Sequence, residues 1–600
     1  MKDFFKYVLA TVVGIIVVGL LCTVMMVITL IGMASSTSTT SVPNDAVVVF
    51  KLDGSINERA TENPFASLLG NNALTSESMG LDDILKAIKN AKENDKVKGI
   101  YMEVGDFGGA APATLAAVRR ALVDFKTSKK FIVAYGDQYT QGAYYLCSVA
   151  DSVVINPEGM LDWHGLAMQT TYYKELMDKL GVKMEIFKVG TYKSAVEPYL
   201  LNEMSEANRE QITVFSGEIW NRMLSDVSKS RKLTNDKLNQ LTDSGLTFLE
   251  TKFYKKEKLV DKIAYCDEVP RIIANMMGSD EEDPKEAYNT ITLADMAAST
   301  ANEPKGTSGN IIAVYYATGD IVDSEGGGIF SSNEDMIVRP NVVKDLKELA
   351  ENEDVKAVVL RVNSPGGSAY ASEQIWHQVM NIKAKKPIVV SMGDYAASGG
   401  YYISCAADWI VAEPTTLTGS IGIFGTFPVA SELMNKKIGL HTSTVKTNEF
   451  ADFGDFSREM TEGEKQLLQG YVNRGYELFT KRCAEGRKMK QDDIKKIAEG
   501  RVWTGEHAKQ IGLVDQLGSL DDAIAVAKKR AKIDEYTVLS YPAKSDLFEE
   551  LLNEVSGDSY ADAKLRELLG EHYNYFRSLQ HLDKHGNVQA QLPYYFKFNF

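Results

Sequence analysis

Hydrophobic and polar positions alternate in two textures along this chain. Short apolar runs rich in Val and Ile predict strands, and longer stretches with apolar residues three or four apart predict amphipathic helices. In the first half the strands fall at Val47–Leu52, Gly99–Val104 and Phe131–Tyr135, separated by helices over Leu81–Glu93 and Pro112–Phe125. Pro112 stands in a first helical turn, where its missing N–H costs nothing. Strands alternating with helices over short links predict βα units on a mostly parallel sheet.

The second half repeats this texture in the same order. Asn310–Tyr315 answers the first strand, Val355–Val362 answers Val97–Val104, and Gly366-Gly367 answers Gly108-Gly109. Gly393-Asp394 matches Gly136-Asp137, Gly399 matches Gly142, Tyr401-Tyr402 match Tyr144-Tyr145, and Pro414 matches Pro157. The chain is therefore expected to be two copies of one α/β domain, over residues 46–277 and 310–545. Residues 278–309, acidic and then rich in Ala, Ser, Thr and Pro, are expected to link them, and residues 546–600 form a tail with amphipathic helices at Leu547–Val555 and Ala561–Leu569 and an aromatic end.

The N-terminus has a third texture. Residues 1–6 carry Lys2, Asp3 and Lys6; an uncharged run from Tyr7 to Met33 follows. As a helix that run is about 40 Å long, more than the roughly 30 Å hydrocarbon core, so it is expected to span a membrane with tilt. Gly32-Met33-Ala34 offers a signal-peptide cleavage pattern, but the run exceeds the usual length of about 7–15 residues for such a segment. A retained transmembrane anchor is the expectation. The lysines ahead of it place the short N-terminus in the cytoplasm, and a polar stalk over residues 34–45 leads to the body outside.

Composition narrows the chemistry. At 600 residues, 44% hydrophobic and 24% charged, the chain has ordinary globular balance, and its net charge of -15 argues against nucleic acid as a partner. Five cysteines and seven histidines are scattered without metal-ligand or disulfide spacing, so neither a metal site nor a cofactor is expected. His164 and His377 fall in helix or turn segments without a paired acid, and His441 at the start of an expected strand; all three are expected to be structural.

Against this background one stretch stands out: Gly393-Asp-Tyr-Ala-Ala-Ser-Gly-Gly-Tyr-Tyr402, after the strand Pro387–Met392 and before an expected helix at Tyr401–Ala407. A serine at a strand-to-helix turn has its hydroxyl near helix N–H groups, so Ser398 is the candidate nucleophile. The backbone N–H groups of Gly366, Gly367 and Gly399 are candidates for an oxyanion hole. The first copy has Gln141 where the second has Ser398. It carries instead Phe187-Lys-Val-Gly-Thr-Tyr-Lys-Ser-Ala-Val-Glu-Pro-Tyr199, in which Lys193 stands opposite Ala451. One copy keeps a serine and the other a lysine, so a complete site requires the Lys193 loop to face Ser398. Lysine acts as a base only as the neutral amine, so its ordinary pKa near about 10.4 must fall, and burial lowers it.

These motifs, with Arg361-Val-Asn-Ser-Pro-Gly-Gly-Ser368 and Leu417-Thr-Gly-Ser-Ile-Gly-Ile-Phe-Gly425, resemble the long form of the signal peptide peptidase A (protease IV) family over nearly all of the chain. The resemblance implies tandem duplicated Clp-protease/crotonase-like α/β domains preceded by one transmembrane helix. It also implies a Ser–Lys dyad with Ser398 as nucleophile and Lys193 as general base, and Ser420 hydrogen-bonded to the lysine amine. The implied setting is a homotetramer on the outer face of a bacterial inner membrane, degrading cleaved signal peptides and other hydrophobic peptides. Two rival functions remain in view: a crotonase-like acyl-CoA enzyme, which would share the oxyanion glycines but not need the serine and lysine, and a non-catalytic membrane scaffold.

Overall fold

The computed structural model describes residues 14, 18, 19, 41–60, 79–299, 309–324, 336–543 and 588–591. The expected anchor at residues 7–33, apart from residues 14, 18 and 19, and the expected tail helices at Leu547–Val555 and Ala561–Leu569 lie outside the described residues. Among the described residues no helix is long and apolar enough to cross a membrane.

The first repeat runs β1 (Ala46–Asn57), α1 (Leu81–Glu93), β2 (Val97–Gly109), α2 (Pro112–Phe125), β3 (Phe131–Tyr139), α3 (Gln141–Cys147), β4 (Ser152–Leu161), β5 (Lys183–Val189) and α4 (Glu206–Arg231). Next come β6 (Asn289–Thr292) and α5 (Leu293–Ala298). The second repeat has β7 (Ile311–Thr318), α6 (Arg339–Glu351), β8 (Val355–Ser364), β9 (Gly366–Ser368), α7 (Ala369–Lys383), β10 (Ile388–Ala397), α8 (Gly399–Ser404), β11 (Leu417–Gly419), β12 (Ile423–Val429) and α9 (Glu462–Arg487). It ends with β13 (Thr537–Tyr541), and β14 (Val588–Gln591) closes the described chain.

Strands β1 to β4 pair in parallel in sequence order, and β7, β8 and β10 do the same in the other repeat. A parallel sheet has helices over both faces, which is why β8 is almost wholly buried and reads as a near-continuous apolar run. The repeat persists at the edges: β6 lies parallel to β1, and β13 lies parallel to β7. Residues 289–298, expected within a linker, thus belong to the first sheet, with α5 packed on α1. The long helices α4 and α9, each 26 residues, start on Ser205 and Thr461 caps and end at left-handed Lys232 and Lys488. The strand expected to start near His441 does not form: residues 441–446 join no strand of the chain and stand exposed.

A third sheet joins the halves. Its order is Met336–Val338, Asp320–Val322, β9, β14, β12, β5. Strand β5 of the first repeat runs antiparallel to β12 of the second, from Val189 opposite Ile423 to Lys183 opposite Val429. Buried polar contacts lock the same interface. Arg361 binds Glu58 through Nε at 2.6 Å, and Asp394 accepts from the Thr114 hydroxyl at 2.7 Å and its N–H at 2.8 Å. Removing one partner of such a pair strands a buried charge, at a cost of about 3–5 kcal/mol.

Candidate active site

Strand β10 ends at Ala397 and α8 begins at Gly399, so Ser398 carries the whole change of direction. It does so at φ 54°, ψ −112°, a region that side-chain-bearing residues avoid, and it is completely buried. Its N–H donates to the Gly419 carbonyl (2.8 Å) and its carbonyl accepts from Tyr402 N–H (2.8 Å), which fix the turn from both sides. Its hydroxyl makes no capping bond to α8 and is left for another partner.

That partner is Lys193. The loop after β5 carries the lysine across the β5–β12 seam, and Nζ stands 2.8 Å from Ser398 Oγ, between residues 205 apart in sequence. Nζ also lies 3.1 Å from Ser420 Oγ and 3.2 Å from the Ser420 carbonyl. Lys193 is 0% exposed, and burial alone pushes its amine well below the ordinary lysine range. The arrangement satisfies both protonation states. A neutral amine accepts the Ser398 O–H on its lone pair and donates to the two Ser420 oxygens; an ammonium donates to all three. The pair can therefore pass a proton from Oγ to Nζ.

The lysine loop is held by contacts that its own sequence does not reveal. Tyr192 N–H donates to the Glu499 carbonyl (2.9 Å), and the Gln211 side chain of α4 donates to the Tyr192 carbonyl (3.1 Å) and Ser194 Oγ (3.1 Å) while accepting from Val502 N–H (3.2 Å). Gly500, at φ 77°, lies directly against the lysine: a carbon added there would stand 2.6 Å from Lys193 Cβ. Gln211 and Gly500 escaped the sequence reading, and only Gly500 left a trace, as a glycine ending an Ala-Glu-Gly turn.

The glycines divide their duties. Gly366 is back to back with Gly399, whose nitrogen is 2.8 Å from where a Gly366 side chain would begin, so both face the serine turn. The Gly366 N–H donates to Ser364 Oγ at 3.2 Å, a long bond. Gly367 abuts the backbone of Ile321 in the neighbouring strand instead. The structure thus brings Ser398, Lys193, Ser420, Gly399 and Gly366 together and sets Gly367 against the sheet. Among the described residues no cluster of His, Cys, Asp or Glu is suited to a metal ion. His164 pairs with Asp162 (2.8 Å), and His377 lies within α7.

The sequence has known counterparts. Residues 124–278 and 381–534 match peptidase family S49, one segment in each repeat, and residues 326–412 match the Clp protease family. Protease 4 of Salmonella typhi is 37% identical over 82% of this chain and 78% of its own length. Protease 4 of Haemophilus influenzae is 36% identical over 74% of this chain and 72% of its own. Serine protease SPPA, chloroplastic, from Arabidopsis thaliana is 28% identical over 83% of this chain and 73% of its own.

Proposed function

Because the chain belongs to peptidase family S49 and is a serine peptidase with a duplicated Clp-protease-like α/β fold, we propose that Ser398 is its nucleophile and Lys193 its general base. The observation that carries this reading is the 2.8 Å approach of a fully buried lysine amine to the hydroxyl of a strained serine. Neutral Lys193 takes the Ser398 proton as Oγ adds to a peptide carbonyl carbon. The oxyanion forms beside the Gly399 and Gly366 N–H groups, the latter exchanging its long bond to Ser364. Ser420 holds the resulting ammonium, which gives its proton to the departing amine. Water then enters, Lys193 takes one of its protons as the water oxygen bonds to the acyl carbon, and the proton passes to Oγ as the acyl–Oγ bond breaks, freeing a carboxylic acid that ionises in solvent.

The substrates are hydrophobic peptides, cleaved signal peptides foremost. The uncharged run Tyr7–Met33 tethers the body at a bacterial inner membrane, on its outer face, where such peptides are left. The working form is a homotetramer. Support comes from the seam: β5 pairs with β12 within the chain, whereas their repeat counterparts, residues 441–447 and 166–172, form no strand. A head-to-tail copy would pair them, and such contacts close into a ring where the rotation between copies allows it.

A fluorophosphonate probe tests the reading. Wild type is expected to be labelled at Ser398, faster as pH rises, because deprotonating Lys193 generates the base. Ser398→Ala and Lys193→Met are expected to stay unlabelled while remaining folded. Labelling that is equally fast in Lys193→Met, or flat between pH 6 and 10, removes the lysine from the mechanism. A crotonase-like enzyme would not react, and a scaffold would not hydrolyse peptides.

A further inference from the structure

Two parts have to be fixed against each other before Lys193 can act on Ser398: the loop that carries the lysine, from the first repeat, and Ser420, from the second. Ser420 stands at φ 49° and Glu499 at φ 52°, conformations that residues with side chains adopt rarely and that need support from outside. The support is mutual. Ser420 N–H donates to the Arg501 carbonyl (2.7 Å), and Gly500 N–H donates to the Ile421 carbonyl (2.8 Å). The strand Val502–Thr504 continues this pairing, antiparallel to β11, with Val502 opposite Gly419 and Thr504 opposite Leu417.

The backbone of Arg501 is thus tied to Ser420, while its side chain crosses to the first repeat. The guanidinium carbon lies 4.7 Å from the centre of the Tyr192 ring and 4.6 Å from that of Trp503, so it stacks on one aromatic side chain from each repeat. Nη1 donates to Tyr192 Oη (3.1 Å), Nη2 pairs with Glu210 Oε1 of α4 (2.9 Å), and Tyr192 Oη donates to Glu210 Oε2 (3.1 Å), which closes a triangle. Tyr192 is the residue immediately before the lysine. The Glu210 side chain is 51% exposed, so its attraction for the guanidinium is screened and contributes little; what the triangle fixes is direction. A planar guanidinium can lie on two rings and still make both polar contacts, which an ammonium cannot do.

We propose that Arg501 is a positioning residue for the base. Its carbonyl holds Ser420 and its side chain holds Tyr192, so one residue sets the distance between the lysine loop and the serine against which the amine rests. The proposal rests on the Ser398–Lys193 reading. The same stack keeps the loop seated and the amine dry. The Arg501 side chain is 20% exposed, whereas Lys193, beside Tyr192, is completely buried among Ser398, Ser420 and the Phe424 ring, whose centre is 5.9 Å from Nζ. Glu210 and Glu499, which accepts from Thr191 N–H at 3.4 Å, are the carboxylates that flank the loop on this side.

The test compares full-length wild type, Arg501→Ala and Arg501→Lys in hydrolysis of a fluorogenic peptide, with active protein counted by fluorophosphonate labelling taken to completion. At pH 7, Arg501→Ala is expected to lower kcat per labelled site about tenfold or more and to change KM less than about twofold, because the base is misplaced and substrate binding is not. The alkaline limb of the pH–rate profile should move up by about one pH unit, since an amine that gains water recovers part of its ordinary pKa. Arg501→Lys keeps the charge and most of the stem, which guards against a failure to fold, and should show an upward shift as well. A cycle with Tyr192→Ala reads the coupling: the double variant should be no slower than Tyr192→Ala alone. A limb at the wild-type pH in either Arg501 variant, with or without a loss of kcat, overturns the proposal, and so do losses that multiply in the double variant. If wild type itself shows no alkaline limb, or is not labelled at Ser398, the Ser398–Lys193 reading falls and the proposal with it.

Discussion

The two repeats make the same turn from strand to helix and end it differently. In the first, Thr140 caps α3 at φ −62°, its side chain accepting from Ala143 N–H, and Gln141 begins the helix. The buried Gln141 amide staples the neighbouring loop, accepting from His164 N–H (3.0 Å) and Gly165 N–H (2.9 Å) and donating to the Gly165 carbonyl (3.0 Å). In the second, Ser398 itself becomes the cap residue, at positive φ and with no capping bond. One turn uses its polar side chains for stability. The other holds a hydroxyl in a strained position, free of local bonds and facing a lysine. A hydroxyl kept free of local bonds has to be maintained by the rest of the fold, at a cost of about 1–3 kcal/mol of backbone strain.

The largest effect expected from breaking this contrast is at its functional end. Lys193→Met should lower peptide hydrolysis about 10⁴-fold or more, measured as kcat/KM. It should also change stability against pH. The folded protein holds the amine below its ordinary pKa, whereas the unfolded chain titrates near about 10.4. Between those two values the unfolded state binds more protons, so wild-type stability rises with pH through that window. Denaturation of Lys193→Met at a series of pH values should show that slope flattened.

Next comes Gly500→Ala. An alanine there meets both an unfavourable positive φ and the Lys193 stem, so the base is displaced and kcat should fall about 100-fold. A pH–rate profile distinguishes this from simple unfolding, since a lysine moved toward water titrates at higher pH. Ser420→Ala is expected to be milder, about tenfold in kcat, with the alkaline limb moved to lower pH because the ammonium loses an acceptor. An unmoved limb would mean that the Ser420 hydroxyl does not bear on the lysine.

Smallest for activity is the reciprocal graft. Gln141→Ser should create no second phosphonate-reactive serine, because the repeat counterpart of Lys193 is Ala451, and hydrolysis should be unchanged. It should destabilise the first repeat by about 1–3 kcal/mol, read by denaturant unfolding, since the His164 and Gly165 N–H groups lose their acceptor. A second labelled site would mean that the turn alone activates a serine.

Much of this contrast was legible in the sequence. Apolar runs gave the parallel strands because a parallel sheet buries both faces, and the repeat exposed the exchange of Ser398 for Gln141 and of Lys193 for Ala451. Their meeting followed from there being one serine and one lysine to share. What stayed hidden depends on contacts distant in sequence. Nothing near Gln211 announces that its amide would reach Tyr192, Ser194 and Val502. No local signal marks the positive φ of Ser398, which is imposed by Gly419 and α8. The chain expected as a linker holds a strand only because β1 offers it an edge, and Val588–Gln591 is too short and polar to read as a strand without the slot between β9 and β12.

The seam between β5 and β12 also orders events in time. During synthesis the first repeat leaves the ribosome and folds before the second exists. It then carries Lys193 without Ser398, and the second-repeat residues that enclose the lysine, Ser420 and Gly500 among them, are not yet in place. The second repeat brings the serine, but β12 has to find β5 before the lysine reaches it, a slow, non-local pairing. On the proposed Ser398–Lys193 reading, proteolytic power is therefore the last property the molecule acquires.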